Sequence, residues 1–318
     1  MKVLANDGIS NSGVEKLLNN GIDIKTTTVE QGQLIDYINK NEITVLLVRS
    51  ATKVRKDIID NCPSLKIIGR GGVGMDNIDV EYAKEKGLKV INTPAASSES
   101  VAELVIAHLY SCVRFLHISN RNMPLEGDSN FKQLKKAFAK GVELRGKTLG
   151  IIGFGRIGQE VAKIGLGIGM NVIYYDLHND KVNLKLEFFD RQILNFKLEK
   201  SSFQNVLSQS DFITLHVPAQ KEYVIGDKEF DLMKDGIGLI NAARGGVVDE
   251  KALEVFLNQN QNAFAAFDVF EKEPAFNHPL LKLNNFYATS HLGSMTIEGV
   301  ISMGIAAING LDENRIPL

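Results

Sequence analysis

Between Thr148 and Lys163 the chain reads TLGIIGFGRIGQEVAK, an apolar run that breaks on Gly153, Gly155 and Gly158 and resumes as a helical pattern. Glycines at G-x-G-x-x-G spacing after a strand suit a tight turn at Gly153, a close backbone approach at Gly155, and a helix packed against its own strand at Gly158. The helix would open with the amides of Arg156 and Ile157 at its positive end, where an anion is stabilised. A second apolar run, NVIYYD, delivers Asp176 18 residues beyond Gly158, at the place of an acid that accepts from ribose hydroxyls. Strand, turn, helix and acid together predict a parallel α/β unit that holds a dinucleotide by its pyrophosphate. A carboxylate at Asp176 would repel a 2′-phosphate, which favours NAD over NADP. Gly165, Gly167 and Gly169 follow close behind. Each costs about 1 kcal/mol in a helix interior, so the helix is expected to end early or to pack unusually close.

The same alternation of short apolar runs and helical patterns extends through most of the 318 residues. KVLAND, TVLLVRS, LKIIGRGG and LKVINTP read as strands, with GVEKLLNNG, LIDYINKN and NIDVEYAKEKG as helices between them. A long helix is expected from near Ser97, with Ser98 in its polar capping sequence. From Lys147 a second series begins, with TLGIIGFG, NVIYYD, DFITLHVP, IGLINAARG and AFAAFDVF as strands. A last helix runs from Thr296 to about Leu311. This rhythm predicts right-handed βαβ units and parallel sheets. Asn120 to Gly146 is polar and carries Pro124 and Gly127, and it is read as a crossing loop. Leu177 to Lys200 has no clear period and receives no assignment.

Hydrophobic residues make up 44% and charged residues 23%, with a net charge of −2, so nucleic acid and membrane surfaces are not expected partners. Cys62 and Cys112 are isolated, which fits neither a disulfide framework nor a metal site and suits a reducing compartment. The apolar stretch Val101 to Leu116 is interrupted by His108 and Arg114, and MKVLANDG lacks a signal-peptide core. A cytoplasmic protein is expected.

Chemistry concentrates at the ends of the later strands. LINAARGGVVDE puts Arg244 at the tip of an apolar strand, and a guanidinium there needs a partner. Sequence alone leaves open a surface bridge to Asp249 or Glu250 or the grip of a small anion, for which arginine offers two parallel hydrogen bonds. The next strand carries Asp268 and runs on to Glu273. TSHLGS then brings His291, able to exchange a proton near neutral pH. The other histidines, His108, His117, His178, His216 and His278, are expected to be structural.

The stretches LLVRSATKV, GRGGVGMDNID, NTPAASSESVAELV, GKTLGIIGFGRIG, NAARGGVVDE, FDVFEKEP and HLGSMT span Leu46 to Thr296. In that order they resemble the D-isomer-specific 2-hydroxyacid dehydrogenase family, and RSATKV with GRGGVGMDNID resembles its phosphoglycerate branch. The resemblance implies two Rossmann-like domains with a cleft between. An NAD-binding domain, 99–288, would be inserted into a flavodoxin-like substrate domain made of 1–98 and 289–318. It implies that Arg244 holds the substrate's carboxylate and keto oxygen, that Glu273 orients and charges His291, and that His291 takes the hydroxyl proton as hydride leaves C2. Asp268, Ala242 and Ala243 would lie on the nicotinamide side, Val217 and Pro218 on the adenosine side, and Gly293 and Ser294 would also contact the cofactor. Val73 and Gly74 would offer amides to substrate and cofactor, and Arg49 and Ser50 would meet the substrate's far end. The implied reaction is NAD-dependent oxidation of D-3-phosphoglycerate to 3-phosphohydroxypyruvate, in serine biosynthesis, by a homodimer of the short form without a C-terminal regulatory domain. A dehydrogenase for glycerate, hydroxypyruvate or lactate, and an NAD-sensing corepressor on the same fold, are the alternatives. The chain departs from the family pattern at Ser290 and Leu177, where proline is usual, and in the length of 177–210.

Overall fold

The computed structural model describes residues 1–313. The final segment 314–318, part of the expected substrate domain, lies outside the described residues. The chain divides into two compact units: Met1–Ser100 with the segment from Ser294, and Val101–Gly293.

The first unit begins with β1 (Lys2–Ala5), α1 (Asn11–Asn19), β2 (Asp23–Lys25), α2 (Leu34–Asn41), β3 (Val45–Val48), α3 (Lys56–Asn61), β4 (Ile67–Arg70), α4 (Val80–Glu85) and β5 (Lys89–Asn92). All five strands are parallel, in the order β2-β1-β3-β4-β5, the flavodoxin-like doubly wound order. Side chains alternate across the sheet with period two. Leu4, Leu46, Val48 and Ile68 bury one face beneath Leu34, Ile38 and Ile58. Val3, Val45, Leu47 and Ile67 bury the other. Both faces are covered, which is why these strands read as continuous apolar runs.

Helix α5 (Ser98–Val113) opens at Ser98, whose hydroxyl donates back to the Pro94 carbonyl. It ends earlier than the apolar stretch, because Phe115 turns left-handed at φ 56°. The expected crossing loop is a correction: Asn120–Gly146 contains most of α6 (Leu116–Glu126) and all of α7 (Phe131–Ala137). Neither helix buries a residue, so neither carries the apolar stripe by which a helix is read from sequence. Among the described residues no single helix is long and apolar enough to cross a membrane.

The second unit continues with β6 (Thr148–Ile152), α8 (Arg156–Gly167), β7 (Asn171–Tyr175), β8 (Lys181–Glu187), β9 (Ile193–Glu199), α9 (Phe203–Gln209), β10 (Phe212–Leu215), α10 (Asp227–Phe230), β11 (Gly238–Asn241), α11 (Glu250–Gln259), β12 (Phe264–Phe267) and β13 (Phe286–Ala288). Six strands form a parallel sheet in the order β13-β12-β11-β10-β6-β7. The order reverses between β6 and β10, which opens a crevice at their carboxyl ends. The unassigned stretch after Asp176 is the antiparallel hairpin β8–β9. Its inward Leu184 is 1% exposed and packs, with Val182, Phe196 and Leu198, into the cluster of Phe154, Val161 and Tyr174. Outward, Lys181 meets Glu199 at 2.7 Å. The last helix, α12 (Ile297–Glu313), belongs to the first unit. Its Ile308 and Leu311 close the apolar face of Val3, Val45 and Ile67.

Candidate active site

At the β6–α8 turn Gly153 has φ 91°, and a Cβ there would lie 2.5 Å from the His216 carbonyl oxygen. Only glycine meets both demands. Gly155 caps α8 with no side chain, so the first-turn amides of Arg156 and Ile157 have no side-chain cap and stay available to an anion. The helix puzzle resolves in both expected ways: Gly165 packs against Leu149 and Val172, and α8 ends at Gly167. Val217, half-buried, lies against the turn, and Pro218 beyond it is exposed.

Asp176 follows β7 as expected, but its carboxylate is already engaged. Oδ2 accepts from the Phe154 amide at 2.6 Å, and Oδ1 accepts from the amides of His178 and Asn179, both at 2.8 Å. Burial pulls its pKa up, yet these amides outweigh that and hold the carboxyl below the usual range. Asp176 is therefore charged near neutral pH and ties the glycine turn to the chain leaving β7. Turn, open amides and acid fit the pyrophosphate and ribose of NAD.

Three loops leave the carboxyl ends of β11, β12 and β13. After β11, the buried Asn241 side chain accepts from the Ala243 amide at 3.1 Å and donates to the Arg244 carbonyl at 3.0 Å. It thereby shapes the turn that presents Arg244, with Ala242 and Ala243 buried beneath. Sequence reasoning missed Asn241; a buried amide at the end of an apolar strand was the available signal. The two acids considered as bridge partners have other work. Asp249 caps α11 by accepting from Lys251 and Ala252, and Glu250 accepts from the Glu271 amide and contacts His278 at 2.8 Å. Gly245 sits where a Cβ would fall 1.9 Å from the Phe270 carbonyl oxygen, so the Arg244 loop and the loop after β12 share a backbone contact. Beside it opens a groove of about 530 Å³ that includes Tyr223, Gly246 and Glu271.

Glu273 stands in that second loop. Its Oε1 accepts from the Phe270 amide at 3.2 Å, and its Oε2 lies 3.0 Å from His291 Nδ1. The acid thus meets one ring nitrogen, which leaves Nε2 as the nitrogen that could exchange a proton with a ligand. Both side chains are more than two-fifths exposed. His291 has φ 59°, and its amide donates to the Asp268 carbonyl at 2.9 Å. Asp268 is 2% exposed, and its carboxylate accepts from Thr289 Oγ1 at 2.5 Å and from the amides of Leu292 and Gly293 at 2.7 Å. Three of a carboxylate's roughly four acceptor positions are so used. Thr289 is not read from the sequence, and His108, which contacts it, is expected there to be structural. Ser294 follows at the boundary between units.

In the first unit, the Arg49 amide donates to Asp7 Oδ2 at 2.6 Å and its guanidinium Nη2 lies 2.9 Å from Met295 Sδ. Ser50 is exposed next to it. A cavity of about 200 Å³ at the carboxyl ends of β1, β3 and β4 is lined by Asp7, Arg49, Gly71 and Met303, among others. Val73 is exposed and its carbonyl accepts from Asn92 at 2.9 Å, with Gly74 half-buried beyond it.

Residues 106–293 match the NAD-binding domain of the D-isomer specific 2-hydroxyacid dehydrogenases. A hydroxypyruvate reductase of Thermotoga maritima is 42% identical over 313 residues, 96% of both chains. A D-3-phosphoglycerate dehydrogenase of Archaeoglobus fulgidus is 40% identical over 96% of this chain, which spans 55% of that relative's length. The crystal structure of a glyoxylate reductase from Paecilomyes thermophila superposes with a TM-score of 0.81 at 27% identity, covering 98% of this chain and 94% of the other.

Proposed function

This chain belongs to the D-isomer-specific 2-hydroxyacid dehydrogenase family, and on that premise we propose that it interconverts D-3-phosphoglycerate and 3-phosphohydroxypyruvate. The chemistry rests on the His291–Glu273 pair at 3.0 Å, on loops neighbouring the one that presents Arg244, and the phosphorylated substrate on the 40% identity to the Archaeoglobus fulgidus D-3-phosphoglycerate dehydrogenase. In the oxidative direction Arg244 grips the carboxylate and the C2 oxygen. His291 Nε2 takes the proton of the C2 hydroxyl, and Glu273 stabilises the imidazolium that results. NAD, when bound, supplies the acceptor for the hydride that leaves C2. Asp176 and the Gly153–Gly158 turn hold the dinucleotide, with Val217 and Pro218 on the adenosine side and Ala242, Ala243, Asp268, Gly293 and Ser294 on the nicotinamide side. Val73 and Gly74 offer backbone to the substrate, and Arg49 with Ser50 takes the phosphate end. The unpaired, buried Cys62 and Cys112 suit the cytoplasm. Tyr110, Leu116, Met123, Leu125 and Phe131, exposed on α5 to α7, suit cover by a second copy of the chain.

A second reading replaces the phosphorylated acid by glycerate and hydroxypyruvate. It is favoured by the match to the Thermotoga maritima reductase over nearly the whole of both chains. A panel of D-3-phosphoglycerate, D-glycerate and D-lactate with NAD, and of their oxo acids with NADH, decides between them. The expected result is the highest kcat/KM for the phosphorylated pair, with turnover lowered ~10²–10⁴-fold in His291→Ala. Higher efficiency with glycerate or hydroxypyruvate transfers the assignment to the second reading. Absence of turnover with every acid refutes both.

A further inference from the structure

We propose that His108 is a positioning residue for the His291–Glu273 pair, acting through Thr289 and Asp268; the proposal rests on the reading of His291 as the proton-transfer group. His108 projects from α5 and is 7% exposed. Its Nε2 lies 3.2 Å from Thr289 Oγ1. That hydroxyl has a single proton, and the proton points to Asp268 Oδ1, 2.5 Å away. Asp268 accepts backbone amides on both of its oxygens, so it acts as acceptor towards Thr289 as well. Thr289 therefore turns lone pairs to His108, and His108 must donate. Burial, only partly offset by the charge of Asp268, disfavours a second proton on the ring. The neutral imidazole then carries its one hydrogen on Nε2.

The result is a chain of hydrogen bonds with a fixed direction: His108 to Thr289, Thr289 to Asp268, and Asp268 receiving the amides of Leu292 and Gly293. Asp268 also accepts the His291 amide on its backbone carbonyl. Three consecutive amides, of residues 291, 292 and 293, thus converge on one residue whose side chain is oriented by His108. The turn they form holds His291 at φ 59°, a left-handed conformation that persists when its surroundings over-determine it. Ser290 has no ring to restrict the backbone. Without the imidazole, the Thr289 hydroxyl is free to rotate away from Asp268, and the ring of His291 loses its fixed distance to Glu273.

The test compares His108→Leu, His108→Gln and Thr289→Val with wild type and with His291→Ala. Hydrogen exchange of the segment 289–293 is read in the apoprotein, and kcat, KM and NADH affinity on the best acid of the panel. Expected in His108→Leu are faster exchange in that segment and kcat lower by on the order of tenfold to a hundredfold. His108→Gln, whose amide donates from a similar position, restores both. Thr289→Val reproduces His108→Leu, and the double variant is no worse than Thr289→Val, since the two residues act as one unit. Unchanged exchange at 289–293 in both His108→Leu and Thr289→Val overturns the inference, whatever turnover does. So does a fall in kcat that His108→Gln fails to restore. Should His291→Ala retain wild-type turnover, the acid–base reading fails, and the exchange measurement still decides whether His108 sets the turn.

Discussion

Arg244 shows how far one side chain's meaning depends on its neighbours. Asp249 caps α11 and Glu250 meets His278, and Asn241 fixes the turn that presents the guanidinium. A residue placed with that care is expected to depend on shape as well as charge. In Arg244→Lys, a point charge replaces a planar fork. Substrate KM should rise and kcat fall together, by on the order of 10²-fold or more if geometry at C2 is lost. NADH affinity, on the proposal that the glycine turn holds the pyrophosphate, should stay within a few-fold, and the melting temperature should stay close to wild type. Steady-state kinetics with a fluorescence titration separates these quantities, and wild-type kcat/KM would remove Arg244 from the substrate site. The same scale explains what was legible. Gly153, Gly158 and Asp176 were readable because spacing alone dictates a turn. Asp268 could be read as important but not as the residue that gathers the 291–293 amides, because those bonds join positions more than 20 apart in sequence.

Between elements the contacts that matter are backbone against backbone. Gly245 lets the loop after β11 touch the loop after β12 at Phe270, and so couples the placement of Arg244 to that of Glu273. Gly245→Ala should push the two apart, with kcat/KM reduced at least tenfold and NADH binding changed far less, because the proposed pyrophosphate and ribose contacts lie on β6, α8 and β7. Kinetics and a cofactor titration on this variant check it, and full activity would mean that the loops move independently. Elements with a buried face were legible: α2 was read at its observed bounds, and the runs at β3, β4, β6, β10 and β11 announced themselves by apolar composition. The hairpin β8–β9 was not, although Val182, Leu184 and Leu186 do alternate with polar residues. Its turn, Phe188 to Gln192, contains no glycine and so lacked the usual hairpin signal. Short β2 and β13 were too brief for any period to show.

For the molecule as a whole, acid sensitivity should come from the Val101–Gly293 unit. His108, His117 and His216 all have pKa values lowered chiefly by burial, His117 also by Arg121, and His216 is pushed down to about 3. A histidine folded below its free value of 6.5 contributes fully above pH 6.5. It loses that contribution as pH falls, because the unfolded chain takes up the proton first. For His216 the loss is up to about 1.4 kcal/mol per pH unit below 6.5. The melting temperature should therefore drop from pH 7 to pH 5, and less so in His216→Gln. Calorimetry at both pH values tests this, and an equal drop in both proteins would assign the sensitivity elsewhere. The second unit is one continuous stretch, whereas the first has its apolar face of Val3, Val45 and Ile67 closed by Ile308 and Leu311. During synthesis, residues 101–293 can thus complete their core as they leave the ribosome. The hundred or so residues made before them must wait, with one side of their sheet covered only in part by Leu17 and Ile22, until Ile308 and Leu311 have been made. Of the two units, the one whose synthesis starts first is thus expected to complete its core second, and its waiting face is where a chaperone would act.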